Sequence, residues 1–329
     1  MPDTVLVTGA NGFLGHHLVA ELHQRGHRVR ALMRPGSPRP FPANWAVEYV
    51  EADLGLAASG AGLAEGCDAI IHAAALAQVN PARNPAVWAV NLGGTENALR
   101  MARQAGVSRF VYVGTANVFG FGPRQQPGNE TTPYAGRRYG LDYMDSKRAA
   151  TDLVLRAVRQ EQLPAVLVHP TFMLGPQDAK PTSNALLLEL HGGRLPGYPA
   201  GGKNYVHVRD VAVATVNALR QGRVGESYIL GNQNLSYREA FALMAAVMQV
   251  PPPRWPLPPA LAQAYGAACD WKSRLTGRPA RLNSAMAAVA NDHHYFSVAK
   301  ARAELDLPQT PISQAVADAF AWFKAHQYV

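Results

Sequence analysis

Tyr143 and Lys147 stand four residues apart in Tyr143-Met144-Asp145-Ser146-Lys147, inside a run with helical spacing. On a helix that interval puts a phenol and an ammonium group on one face. A carbonyl that accepts hydride needs a proton donor. An unperturbed phenol, with a pKa of about 10, is too weak an acid near neutrality unless a cation sits beside it. A hydroxyl is supplied upstream, where the apolar run Phe110–Val113 leads into Gly114-Thr115-Ala116-Asn117-Val118-Phe119-Gly120. Thr115 and Asn117 thus fall at the carboxyl end of a strand, the edge at which open α/β sheets bind ligands. The Tyr–Lys interval is common in proteins and gains its meaning from the start of the chain.

That start reads Val5-Leu6-Val7-Thr8-Gly9-Ala10-Asn11-Gly12-Phe13-Leu14-Gly15. A glycine triplet after a buried strand and at the opening of an amphipathic helix is the setting in which a dinucleotide cradle works. Gly9 permits the tight turn, Gly12 lets the backbone approach a pyrophosphate, and Gly15 lets helix and strand pack closely. The amides at Asn11 to Leu14 would then face the anion at the positive end of the helix. At the end of the second strand, a carboxylate would bind the adenine ribose of NAD and repel the extra phosphate of NADP. Met33 and Arg34 stand there instead, so NADP(H) is the expected cofactor, with NAD(H) the alternative. Asp53-Leu54 and His72-Ala73-Ala74, after the third and fourth strands, lie where the adenosine would pass, although His72 also suits a packed, satisfied histidine. The run Gly197-Tyr198-Pro199-Ala200-Gly201-Gly202-Lys203-Asn204 is close to a triphosphate-binding loop in spacing. It lacks the Ser/Thr that would hold magnesium and carries an internal proline, so it is rejected.

The elements that must position these groups follow from periodicity. Thr4–Thr8, Arg28–Met33, Ala46–Glu51, Ala69–His72, Arg109–Gly114 and Ala165–His169 read as strands. Several are apolar at successive positions, as in a parallel sheet covered on both faces. Phe13–Arg25, Pro85–Ala105 and Tyr139–Gln162 read as helices between them. The expected fold is therefore an α/β, Rossmann-type doubly wound parallel sheet. After Pro170 the texture changes to Gly- and Pro-rich breaks, then a helix near Val208–Leu219, a strand at Ser227–Leu230, a Pro251–Pro259 segment and a helical tail. The expected division is a dinucleotide-binding domain of residues 1–171 plus about 207–231, and a smaller discontinuous substrate lobe of about 172–206 plus 232–329. The Pro251–Pro259 segment and the helix after it are open to three roles: lining the site, packing on a membrane surface, or closing the lobe.

Composition narrows the classes. Hydrophobic residues are 48% and charged residues 16%, ample for a packed core and unlike a disordered chain. The net charge of +8 is spread thinly, with doublets such as Arg137-Arg138, so no nucleic-acid partner is expected. Two cysteines, Cys67 and Cys269, exclude a disulfide framework or cysteine-rich zinc site. With no basic leader ahead of the first strand and no transmembrane-length apolar run, the expected location is the cytoplasm. His16-His17 and His293-His294 lack partner motifs and are read as surface residues, with no metal site.

The glycine cradle, the strand-end Thr115 and Tyr143-x-x-x-Lys147 together resemble the extended short-chain dehydrogenase/reductase (epimerase/dehydratase) family. Asn91-Leu92-Gly93-Gly94-Thr95 is similar to that family's Asn-x-x-Gly-Thr segment. The resemblance implies Tyr143 as acid/base, Lys147 lowering its pKa and holding the nicotinamide ribose, and Thr115 bonding the substrate oxygen. Pro170 and Thr171 sit where the family's backbone passes the nicotinamide amide. It also implies a homodimer through the helices of Pro85–Ala105 and Tyr139–Gln162. His169-Pro170-Thr171 through Gly175-Pro176, then Asp178 and Lys180-Pro181-Thr182, resemble the dihydroflavonol-reductase-like branch, which includes bacterial hopanoid-associated sugar epimerase-like proteins.

Within that family the main reading is NADPH-dependent reduction of a ketone or aldehyde, because the strand-two end suits a cofactor exchanged at each turnover. The alternative is an NAD-dependent nucleotide-sugar epimerase or dehydratase acting on a sugar substrate. Such enzymes commonly grip a diphosphate with an arginine where this chain has Lys203, a cation without the bidentate fork; Arg209, Arg274 and Arg281 are further candidates. A non-catalytic dinucleotide sensor is disfavoured by the complete Thr115, Tyr143 and Lys147 set. Candidate substrate-binding residues are Thr115, Asn117, Phe172, Met173, Asn184, Leu187, Lys203 and Tyr205.

Overall fold

A computed structural model describes residues 3–56, 59–276 and 283–329. In chain order its elements are β1 (Thr4–Thr8), α1 (Phe13–Gln24), β2 (Arg28–Met33), β3 (Val47–Glu51), β4 (Ala69–His72), α2 (Pro85–Trp88), α3 (Gly94–Ala105), β5 (Arg109–Val113), α4 (Asp142–Glu161), β6 (Ala165–Pro170), β7 (Phe172–Leu174), α5 (Ala185–His191), β8 (Gly202–His207), α6 (Val208–Asn217), β9 (Ser227–Leu230), β10 (Gln233–Ser236), α7 (Tyr237–Met248), α8 (Pro259–Thr276), α9 (Ser284–Asn291), β11 (His293–His294), α10 (Ala299–Glu304) and α11 (Ile312–Ala325).

Seven strands form one sheet in the order β3-β2-β1-β4-β5-β6-β9, every pair parallel. The chain winds outward from β1 to β3, then crosses back to place β4 on the other side of β1. A switch point of this kind opens a crevice at the carboxyl ends of the two central strands. Strand side chains alternate between two cores: Val5 and Val7 pack on one face with α1 and α6, while Leu6 packs on the other with α3 and α4. A four-stranded second sheet of β7, β8, β10 and β11 carries its own core with α5, α7 and α11, which includes Leu174, Phe241, Met244 and Phe323. No helix among the described residues is long and apolar enough to cross a membrane.

Two helices differ from the sequence expectation. The Pro85–Ala105 run is interrupted by a π turn over Ala89–Gly93, which carries Asn91 inward. The run expected from Tyr139 is cut at Gly140, which has φ +61°, and α4 begins at Asp142. Here Asp142 accepts hydrogen bonds from the Asn84 amide at 2.6 Å and from Arg83 at 2.9 Å, tying the start of α4 to the segment before α2.

Candidate active site

The turn after β1 has a geometry that only glycine meets. Gly9 has φ +66°, and a Cβ there would lie 2.8 Å from Ala74 Cα. A Cβ on Gly15 would lie 2.0 Å from the Gly9 carbonyl oxygen, so helix and turn touch backbone to backbone. At Gly12 an added Cβ meets only the Gly9 oxygen, at 3.1 Å. Gly12 precedes α1, and no side chain caps that helix. The first-turn amides, around Asn11, Phe13 and Leu14, are thereby left to an anion. This uncapped, Cβ-free cradle at the switch point fits a dinucleotide pyrophosphate.

Along the adenosine side, Arg34 is exposed just beyond β2, and no hydrogen bond or ion pair to its guanidinium occurs among the described residues. Asp53 accepts a bond from the Gly55 amide at 2.9 Å, and Leu54 is buried with its carbonyl held by Asn97 at 2.7 Å. The backbone of Ala73 and Ala74 closes against Gly9. The His72 side chain does not face the crevice. It is buried between Thr8 at 2.8 Å and Thr95 at 3.2 Å. The Thr95 hydroxyl donates to the Asn91 carbonyl and therefore accepts from His72 Nε2, which leaves Nδ1 to accept from Thr8. Burial with Lys147 nearby lowers the imidazole pKa to about 3. Its side chain latches β1, β4 and α3 together, which is the packed, satisfied histidine that the sequence also allowed.

At the carboxyl end of β5, the Thr115 hydroxyl accepts from the Asn117 amide at 3.4 Å and lies beside the Tyr143 phenol. Burial raises the Tyr143 pKa, and the neighbouring Thr115 hydroxyl offsets part of that rise. Lys147, one turn on, donates to the Val113 carbonyl at 2.7 Å and lies 4.9 Å from the centre of the Tyr112 ring. Burial lowers its pKa to about 7. Asn91 holds this helix in place: it accepts from the Leu76 amide at 2.8 Å, donates back to the Leu76 carbonyl at 3.2 Å, and donates to Ser146 Oγ at 3.0 Å. Ser146 in turn donates to the Tyr143 carbonyl at 3.1 Å. The π turn is the local cost of aiming Asn91 at both neighbours, as such bulges often are near sites.

On the far side of the crevice, Pro170 ends β6, and Thr171 bonds the Leu230 carbonyl through its amide and Asn204 through its hydroxyl, each at 2.9 Å. Phe172 and Met173 are partly buried, and Lys203 Nζ lies 5.1 Å from the centre of the Phe172 ring. Burial lowers the Lys203 pKa to about 8, and no carboxylate pairs with it among the described residues. Three expected substrate residues are turned into the lobe instead. Asn184 is fully buried, accepting from the Gly175 amide at 3.3 Å and donating to its carbonyl at 3.0 Å. Leu187 and Tyr205 are core side chains with no exposed surface. Arg209 pairs with Asp318 at 2.8 Å, Arg281 lies outside the described residues, and so does the side chain of Arg274.

One group was misread from sequence. His293 is exposed, but His294 is buried and stacks on Phe121 with ring centres 3.9 Å apart. It bonds Tyr139 at 3.2 Å and Asn117 at 3.3 Å, beside the register partner Lys203. Its pKa is held well below the ordinary value by burial first, then by Lys203 and Arg138. His17 is likewise buried, bonding the Pro176 carbonyl at 2.9 Å. Among the described residues no three potential ligands gather to hold a metal.

A family model described as the NAD dependent epimerase/dehydratase family matches residues 5–231. The chain belongs to that family. It is similar to a Synechocystis sp. protein with a provisional dihydroflavonol 4-reductase name, 31% identical over 100% of this chain and 97% of that one. Sterol demethylase protein B of Methylococcus capsulatus is 31% identical over 98% of each chain. A 3 beta-hydroxysteroid dehydrogenase/Delta 5-->4-isomerase of Mycobacterium tuberculosis is 30% identical over 97% of this chain and 90% of its own. Among solved structures, gox2253 superposes with a TM-score of 0.85 at 33% identity, covering 98% of each chain. A Pseudomonas aeruginosa protein described as a nucleoside-diphosphate-sugar epimerase gives 0.79 at 26% identity over 99% of each. The chain is thus an NAD(P)-dependent oxidoreductase of the epimerase/dehydratase family, with the Rossmann-type fold of its structural neighbours.

Proposed function

We propose that this family member is an NADPH-dependent reductase of a ketone or aldehyde carried on an apolar body, with Tyr143 as proton donor. The observation that carries the reading is the placing of Tyr143 one helical turn from a buried Lys147, which is anchored on the Val113 carbonyl beside Thr115 at the carboxyl edge of the sheet. When bound, the nicotinamide supplies the hydride. Thr115 orients the carbonyl oxygen and Tyr143 delivers the proton to it, while Lys147 provides the cation that steadies the phenolate left behind. Asn91 and Ser146 hold the helix so that these groups meet one carbonyl. The exposed Arg34, with no carboxylate at the end of β2, supports NADPH over NADH. Phe172, Met173 and Phe121 provide apolar walls, and the sterol and steroid names of two relatives favour a lipophilic carbonyl. Cofactor release by denaturation, NADPH and NADH titration, and NADPH oxidation with steroid ketones and long-chain ketones test this reading. Preferential NADPH binding and turnover support it.

A second reading, a nucleotide-sugar epimerase, is favoured by the buried Lys203, which has no carboxylate partner among the described residues and suits a phosphate. Tightly retained NAD with no response to NADPH would establish it over the first. We also propose a cytoplasmic homodimer through α3 and α4. A shallow groove there, lined by Glu96, Arg100, Arg103, Leu153, Arg156 and Gln160, offers both charge signs for a second copy. Sedimentation showing only monomer would contradict the pairing.

A further inference from the structure

Of the nine strongly exposed large apolar side chains among the described residues, five fall between residues 255 and 275. They are not scattered. α8 packs one side on α9: a Cβ on Gly266 would lie 2.8 Å from Ser284 Cα, and Asp270 accepts from the Ser284 amide at 3.1 Å. At helical spacing the opposite side carries Leu261, Tyr265, Ala268, Trp271, Lys272 and Leu275. Leu261 is 64% exposed, Trp271 66% and Leu275 66%, and Trp255, just ahead of the helix, is 72% exposed. Single exposed apolar residues are ordinary, whereas a contiguous stripe marks a docking surface.

Charge selects the occupant. Among the described side chains of residues 251–282, the exposed Arg254 and Lys272 stand against one acid, Asp270, and that acid is turned onto Ser284. We infer that α8 and Trp255 dock the enzyme on an anionic lipid bilayer, with α8 lying in the interfacial plane. An amphipathic helix with aromatic and leucine side chains on one side and cations beside them has the composition for that position. A second copy paired through the same patch would set like charges against each other, whereas lipid phosphates neutralise them. The surface also lies close to the chemistry. α9 packs between α8 and the cluster of Tyr139, Leu141, Met144 and Tyr143. A lipophilic carbonyl would thus travel little more than one helix layer from bilayer to cleft. The inference does not depend on the substrate reading, because docking is scored without turnover.

The test is co-sedimentation of the full chain with vesicles of phosphatidylcholine alone and of phosphatidylcholine with phosphatidylglycerol. Binding to the anionic vesicles is expected, weakened by salt. The triple variant Leu261→Ser, Trp271→Ser, Leu275→Ser is expected to lower partitioning by about tenfold or more. Its nicotinamide-cofactor binding and thermal midpoint should match the parent, and Lys272→Glu should weaken binding to anionic vesicles alone. Three results would overturn the inference: no binding of the parent to anionic vesicles, equal binding by the triple variant, or a triple variant that dissociates an oligomer while vesicle binding is unchanged.

Discussion

Lys147→Met should abolish turnover and yet make the protein more stable near neutral pH. Lys147 is buried, and its pKa falls from 10.5 to about 7. In the unfolded chain the amine titrates near its ordinary value. Between these two pKa values the unfolded state holds more protons than the folded one, so the penalty is full below the folded pKa and fades as pH rises. Each pH unit is worth about 1.4 kcal/mol, which makes the penalty about 4–5 kcal/mol near neutrality and about 2 kcal/mol near pH 9. Methionine removes that penalty but leaves the Val113 carbonyl without the donor now at 2.7 Å. Losing that partner costs about 1–3 kcal/mol. The variant should therefore gain about 2–3 kcal/mol near pH 7, and the gain should shrink towards zero by about pH 9. Paired urea unfolding of parent and variant across that range measures the difference, in which the other titrating groups cancel. A variant less stable at neutral pH, or a difference independent of pH, would refute the reasoning that burial of this cation is the site's main stability cost.

Gly15→Ala forces a methyl to within 2.0 Å of the Gly9 oxygen, so NADPH affinity should fall by about a hundredfold or more as the turn is displaced; equilibrium titration checks it. Asn91→Leu removes bonds to Leu76 and Ser146. Stability should drop by about 1–3 kcal/mol, and kcat should drop by at least about tenfold through misplacement of Tyr143. Arg34→Ala should weaken NADPH by about tenfold and leave NADH unchanged, as loss of a charge-assisted phosphate contact requires; equal effects on both would sink the NADPH assignment.

Much of the first half was legible because its determinants are local. Val5-Leu6-Val7, Ile70-Ile71 and Val166-Leu167-Val168 are buried runs on central parallel strands, and the glycines of the first turn act on their immediate neighbours. What sequence missed depends on partners far along the chain. Asn91 was legible as part of a family-like segment but its π turn was not, since that follows from its bonds to Leu76 and Ser146. His294 reads as one of a surface pair until β11 joins β8 and stacks its ring on Phe121. Asn184 and Leu187 carry plausible binding chemistry, but the turn at Gly175 and the packing of α5 consume them. His72 was legible only as two alternatives, and the partners that hold its ring, Thr8 and Thr95, come from β1 and α3 and are not adjacent in sequence.

The central claim, that Tyr143 protonates a carbonyl beside Lys147, is tested most directly by single-turnover NADPH oxidation with parent and Tyr143→Phe proteins, alongside cofactor titration. The account predicts a loss of about 10²–10⁴-fold in rate with NADPH affinity retained. For the parent it predicts a rate that falls as pH rises through and above neutrality, because Lys147, whose pKa burial lowers to about 7, then loses the charge that steadies the phenolate. A phenylalanine variant that reduces the same carbonyl at close to the parent rate would contradict it.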